Sequence, residues 1–216
     1  RGGHQDMFLE VNHGPLLVDN NIFLSAYSLN FRSKGVAFVH NLFAGATRIV
    51  ETDARTTPYH TPHSTNILGM EKYSLGDDRY YNNIFIHPPG LQKYNNAELP
   101  VWMEGNVFLK GAEPSGHEEN PVVIRDYDPD LKIIEENGTF YLEMKADPTW
   151  SSSMNHELVT TELLGKALLP GQAYTNPDGS SLRIDNDFLG KPRNPENPTP
   201  GPFEDPGSGK VRVKVW

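Results

Sequence analysis

At 216 residues, 37% hydrophobic and 22% charged, the chain is long enough for one large or two small domains with a real core. Its composition excludes a disordered or membrane-embedded protein. A formal charge of -9 argues against nucleic acid or an anionic membrane as partner, and no apolar run approaches the length that crosses a bilayer. The absence of cysteine excludes disulfides and thiolate metal sites but leaves the compartment open, cytoplasmic or secreted and periplasmic bacterial.

The chain opens without an initiator Met or a signal-like segment, and Arg1-Gly2-Gly3-His4 runs almost at once into a patterned strand. The expectation is a processed or cut-down piece of a longer protein, the alternative being a mature N-terminus after signal cleavage. In Asp6-Met7-Phe8-Leu9-Glu10-Val11-Asn12-His13-Gly14-Pro15 the two-residue period of a strand sends Met7, Leu9 and Val11 one way. Asp6, Phe8, Glu10 and Asn12 go the other, so the front carries two carboxylates, an aromatic ring and an amide. Such a front suits a polyhydroxylated ligand. Phe8 offers a platform for a sugar ring, Asn12 and His13 directional hydrogen bonds, and Glu10 a proton. The rival reading of Glu10 is a solvated carboxylate on a strand. His13 either bonds a sugar hydroxyl, orients Glu10, or is a turn histidine bonded to backbone.

A short pattern then recurs: Asn21-Ile22-Phe23, Asn41-Leu42-Phe43, Asn83-Ile84-Phe85 and Asn106-Val107-Phe108, with the asparagines 20, 42 and 23 residues apart. The spacing reads as one, two and one repeats of a period just above 20. It predicts short strands wound as a right-handed parallel β-helix, in which equivalent Asn side chains stack and hydrogen-bond and the Ile/Leu/Val positions fill the core. Between the second and third matches, residues 51–66 are polar, broken by Pro58 and Pro62, and without periodicity, which predicts a long protruding loop. Tyr59, His60 and His63 in it are expected to wall a sugar site. His60-x-x-His63 as a metal pair lacks a helix to fix its spacing and an evident third ligand, so no metal is assigned. Asp53 and Arg55 read as ordinary loop charges.

Beyond about residue 111 the texture changes. Leu131–Met144 reads as a hairpin about the turn Asn137-Gly138. Glu157 to Leu169 reads as a bent strand or one amphipathic turn. Leu182–Asp185 and Val211–Trp216 read as strands, and Gly190 to Gly209 as an extended Pro-rich wrap. Together these predict a β-sandwich-like module. Trp102 is expected in the core and Trp150 on the surface. Residues 1–111 are therefore expected to be the C-terminal part of a parallel β-helix catalytic domain and 112–216 a β-sandwich flanking region.

Phe8-Leu9-Glu10-Val11-Asn12-His13-Gly14-Pro15 followed by Val18-Asp19-Asn20-Asn21-Ile22-Phe23-Leu24-Ser25 resembles the second half of glycoside hydrolase family 120. Thr57-Pro58-Tyr59-His60-Thr61-Pro62-His63-Ser64-Thr65 and Arg79-Tyr80-Tyr81-Asn82-Asn83-Ile84-Phe85 extend the likeness. It covers roughly residues 1 to 110, the remainder agreeing only in texture. The resemblance implies a β-xylosidase on a parallel β-helix with a β-sandwich flank, cleaving xylo-oligosaccharides with retention and no cofactor. It implies that Glu10 is the general acid/base and that the nucleophilic Asp lies about two dozen residues upstream of it, in an upstream half of the same polypeptide. The chain as given would then hold half of a catalytic pair and be inactive alone. The alternatives are a polysaccharide lyase and a non-catalytic carbohydrate-binding β-helix. A lyase calls for a Lys or Arg base beside calcium-binding carboxylates, and the sequence around Glu10 shows neither.

Overall fold

A computed structural model describes residues 4–216, so the opening Arg1-Gly2-Gly3 lies outside the described residues. The chain is built in short courses of two to three strands. The first is β1 (Gln5–Glu10), β2 (Leu16–Asp19) and β3 (Ile22–Phe23). The second is β4 (Tyr27–Arg32), β5 (Val36–Val39) and β6 (Leu42–Phe43). After β7 (Ala46–Ile49) the chain leaves this pattern for an antiparallel hairpin, β8 (Thr52–His60) and β9 (Ile67–Ser74). It returns as β10 (Arg79–Tyr81) and β11 (Ile84–Phe85), then β12 (Trp102–Glu104) and β13 (Val107–Leu109), then β14 (Glu118–Glu119) and β15 (Val122–Ile124). The later elements are β16 (Lys132–Glu136), β17 (Thr139–Ala146), two one-turn helices α1 (Thr149–Ser152) and α2 (Thr161–Leu164), β18 (Lys166–Ala167), β19 (Gln172–Ala173) and β20 (Gly209–Lys214).

The all-β class holds, but the expected single parallel β-helix followed by a β-sandwich does not. The strands divide among three separate short parallel sheets, ordered β1-β4-β7, β14-β12-β10-β5-β2 and β15-β13-β11-β6-β3, and three antiparallel ones. The reason is local. Strands of two to six residues end at a bend before a ladder can run on, and the first sheet stops at three strands because the chain exits into β8. The second half has a three-stranded antiparallel sheet, β16-β17-β20, which packs on the β15-β13-β11-β6-β3 sheet instead of forming a separate sandwich, and the two-stranded β18-β19.

The bends have a common origin. Asn20, His40, Asn82 and Gly105 have φ of 55°, 54°, 56° and 70°, each just before one of the four repeated asparagines. Each asparagine then bonds to the next strand. Asn21 N and Nδ2 donate to Asn41 Oδ1 at 3.0 and 3.1 Å, and those of Asn41 to Asn83 Oδ1 at 2.9 and 3.0 Å. Both groups of Asn83 reach Asn106 Oδ1 at 2.9 Å. The stacking expected of these residues is therefore present. It also corrects the spacing. The 42-residue interval is one step, not two, because β5 pairs directly with β10 and the hairpin is an insertion. The core assignment holds in part: Leu42, Ile84 and Val107 are buried, but in a cluster separate from that of the phenylalanines. Phe23, Phe43, Phe85 and Phe108 fill the interior as a stack with centroids 5.1, 4.9 and 5.3 Å apart. Ile22, Leu42, Ile84 and Val107 face the opposite way, under Leu142, Met144 and Trp150. Trp150 is thus buried, whereas Trp102 is 36% exposed, with the buried Arg79 guanidinium 4.1 Å from its ring.

The ladder ends on a carboxyl. Asn106 N and Nδ2 donate to Glu118 Oε1 at 3.1 and 2.9 Å, and burial pushes the Glu118 pKa from 4.5 up to about 8. The folded state keeps a proton that the unfolded chain releases near the ordinary carboxyl value. This group's stabilisation is therefore full in acid and is lost as pH rises through about 8, at up to about 1.4 kcal/mol per pH unit. Glu118→Gln retains an oxygen to accept from Asn106 and is expected to remove that slope. In chemical denaturation, wild type should lose stability relative to the variant between about pH 5 and about pH 8. Parallel curves would mean that Glu118 is ionised throughout.

The expected Asn137-Gly138 turn is present, with φ of 51° and 78° joining β16 to β17. The final strand pairs along its length with β17. Glu157 to Leu169 contains α2, capped by Thr160, whose hydroxyl accepts from Leu163 N. Leu182–Asp185 forms only an isolated bridge, Thr160 with Arg183. The Pro-rich segment runs over the surface for about half its length, as expected, and is buried at Arg193 and over residues 198–204. Arg193 anchors it by donating to Thr199 O, Gly201 O and Asn20 Oδ1 at 3.0, 3.0 and 2.6 Å.

Candidate active site

β1 alternates as its sequence requires. Met7 and Leu9, then Val11, pack on the core, while Asp6, Phe8 and Glu10 face outward. Asp6 is spent on structure, accepting from Ser25 N and Oγ at 2.7 and 2.6 Å and so tying the first course to the second. Parallel pairing with β4 sets Glu10 opposite Arg32 and Phe8 opposite Asn30. The Arg32 guanidinium lies 5.5 Å from the Phe8 centroid, so part of the aromatic platform is already covered by a cation.

Glu10 Oε1 meets Arg55 Nη2 in a close ion pair and lies 3.8 Å from Arg32 Nη1. Asp53 completes the group, accepting from Arg55 Nε and Nη2 at 2.8 and 2.7 Å and standing 3.5 Å from Arg32 Nη1. The Arg55 hydrogen bonds hold the Asp53 carboxyl well below the usual carboxylate range. Asp53 and Arg55 are therefore not ordinary loop charges. They sit on β8, which is a strand where a loop was expected, and its return past β1 brings them to Glu10.

At the end of β1, Asn12 Oδ1 accepts from Gly14 N at 2.7 Å and Asn12 N donates to Ser33 Oγ at 3.0 Å. His13 is buried, with Nε2 2.8 Å from Thr57 Oγ1 and its ring edge-on to Tyr59 at 6.3 Å. Backbone groups of Thr57 and Glu71 also act on the ring, and no hydrogen bond joins it to Glu10 among the described residues. Burial, then the nearby Lys34 charge, keeps its pKa below the ordinary imidazole value. Lys34 is itself buried and donates from Nζ to Lys72 O at 3.0 Å, so His13 and Lys34 tie down the two strands of the hairpin at its base.

A cavity of about 430 Å³ lies between this strand end, the hairpin and residues 172–182. Asn12, His13, Tyr59, His60 and His63 all line it, whereas Phe8 and Glu10 stand next to it on the front of β1 and do not. The far wall escaped sequence reasoning. Gln172 Nε2 donates to His60 O at 2.8 Å, and Thr175 Oγ1 lies 3.5 Å from His63 Nε2. His60 Nδ1 lies 3.3 Å from Thr65 O. A second cavity, about 660 Å³, opens on the other side of the hairpin, among Lys34, Asp53, Glu71, Asp77 and Glu98.

Comparison with protein-family models gives no match, and comparison with curated proteins gives none. Among solved structures the chain is similar to the complex of XylC with xylose. It is 33% identical to XylC, with a TM-score of 0.92, over 98% of this chain and 38% of that one. The chain thus spans less than two fifths of the length of the protein it matches.

Proposed function

We propose that this chain carries the acid/base half of a retaining β-xylosidase-like site of the family 120 type, acting on xylo-oligosaccharides. The observation that carries the reading is the likeness to the xylose complex of XylC over almost the whole chain, with Glu10 on an open strand face next to a polar cavity. Glu10 would give its proton to the glycosidic oxygen as the C1–O bond breaks and C1 bonds to a nucleophilic carboxylate. It would then take a proton from the water that attacks C1 and releases that carboxylate. The cavity side chains Asn12, His13, Tyr59, His60 and His63 would hold sugar hydroxyls, and the reaction needs no cofactor.

The nucleophile is assigned to an upstream part of the same polypeptide, stacked on β1. Two features support such a partner. Among the described residues β1, β2 and β3 each have one unpaired edge, and Asn21 Oδ1, at the open end of the ladder, accepts nothing. The spacing also suits the chemistry. Equivalent side chains on adjacent strands stack 4.9–5.3 Å apart here. Two carboxyls so placed match the separation of about 5–5.5 Å that retaining enzymes use, rather than the 6.5–9.5 Å of inverting ones.

One observation favours a rival. The structure brings Arg32 and Arg55 to Glu10, and a polysaccharide lyase needs a cationic base, though both are ion-paired here. The test is the product made by the complete protein. β-Xylose as the first-formed anomer from xylobiose, followed by NMR, supports the proposal. Inverted product overturns it, and an unsaturated uronide absorbing in the ultraviolet, released from a uronic-acid polysaccharide offered in place of xylobiose, would favour the lyase.

A further inference from the structure

We propose that Arg55 is a positioning residue for Glu10, holding one carboxylate oxygen so that the other is aimed at the glycosidic oxygen. The inference rests on the glycosidase reading of Glu10 given above. Arg55 lacks freedom of its own. Its Nε and Nη2 donate to the two oxygens of Asp53, and its backbone N donates to Asp53 Oδ1 at 3.0 Å. The Asp53 side chain is only 11% exposed and is also engaged by Arg32. Both cations approach the same oxygen of Glu10, Oε1, while Oε2 accepts no hydrogen bond among the described residues.

A lone glutamate on an exposed strand face samples several rotamers. A guanidinium fixed at two points on the Asp53 carboxylate selects one of them, because its donors lie in a rigid plane. The selection matters twice in a retaining reaction. Oε2 must lie beside the glycosidic oxygen when it gives up the proton, and beside the attacking water when it takes one back. Holding a reacting group in place is worth orders of magnitude in rate. The sequence places Arg55 45 residues after Glu10. Because it rides on the inserted hairpin, the element that walls the cavity also sets the acid.

The test uses the complete protein and two substrates, xylobiose and an aryl β-xyloside whose leaving group departs without a proton. Arg55→Ala is expected to lower kcat for xylobiose about 10- to 100-fold with KM little changed, and to alter formation of the glycosyl-enzyme from the aryl substrate only a few-fold. Arg55→Lys should restore part of the loss, since an ammonium cannot grip Asp53 at two points while reaching Glu10. Equal losses on both substrates, or a loss confined to KM, would make Arg55 a fold or substrate contact and overturn the proposal. Glu10→Gln separates the two levels. If it is fully active on xylobiose, the glycosidase reading itself fails. If it is inactive while Arg55→Ala is unaffected, the reading stands and Arg55 is dismissed. Should Arg55→Ala not fold, Asp53→Asn loosens the same guanidinium in place and is judged by the same ratio of the two substrates.

Discussion

Glu10→Ala in the complete protein is expected to lower turnover of unactivated xylobiose by about 10²- to 10⁴-fold, the usual worth of a positioned acid/base. The loss should be unequal between the two halves of the reaction. An aryl xyloside with a good leaving group needs no proton in the first step, so glycosyl-enzyme should accumulate, and a pre-steady-state burst of the aryl group should become visible. Azide needs no base to attack that intermediate. It fits where the carboxylate has been removed, so it should restore turnover and give a glycosyl azide of retained β configuration. Undiminished xylobiose hydrolysis would remove Glu10 from its role. Rescue with inverted configuration would point to a different pair of groups. The outward placement of Glu10 agrees with this assignment, since its strand neighbours Leu9 and Val11 face the core and leave it no structural duty beyond its arginine contacts.

The largest effect on stability is expected at Asn83→Ala. Asn83 is wholly buried in the middle of the ladder. It accepts from Asn41 N and Nδ2 and donates to Asn106 Oδ1 and Phe38 O. Removing the amide strands partners that have no water to turn to, each at about 1–3 kcal/mol, so a total of about 3–5 kcal/mol is expected. Asn21→Ala offers an internal contrast. Asn21 makes the same donations to Asn41, but its side-chain oxygen accepts nothing among the described residues and it is only half-buried, so its loss should cost about 1 kcal/mol. Chemical denaturation of the two variants reads the comparison directly. Equal costs would mean that the ladder bonds are independent of depth and do not reinforce one another.

What was legible beforehand follows from what periodicity reports. Alternation in Asp6–Asn12 correctly separated a core side from a front, because one register makes every second side chain share a face. The repeated asparagines announced a ladder, and Asn137-Gly138 a tight turn. Alternation does not say which of two apolar sides is interior, however. Ile/Leu/Val and Phe alternate in the repeat, and the larger rings took the inside, where they stack. The same limit misplaced Trp102 and Trp150. The hairpin was missed because Pro58 and its polar neighbours obscure a strand that lies outside the main sheets, where neither edge demands an apolar face. That one omission hid the Arg55 contact, the true length of the 42-residue step and the fold of the cavity wall. Five of the seven candidate site residues were nonetheless gathered at one cavity, since chain proximity in Asn12–His13 and Tyr59–His63 needed only the His13–Thr57 bond to unite them.

The hairpin enters at a single connection, after β7, and leaves the pairing of β5 with β10 and β6 with β11 undisturbed. It therefore behaves as a cassette. Its length and tip can be exchanged without re-registering the strands beneath, so the outline of the cavity can change while the frame stays constant. The requirements on a replacement are few and local. It must present a hydroxyl where Thr57 meets His13, a carbonyl where Lys72 meets Lys34, an aromatic ring where Tyr73 enters the core, and the Asp53–Arg55 clasp above Glu10. Grafting hairpins that meet those conditions would reshape the cavity while Glu10, the carboxyl proposed to transfer the proton, is carried along unchanged.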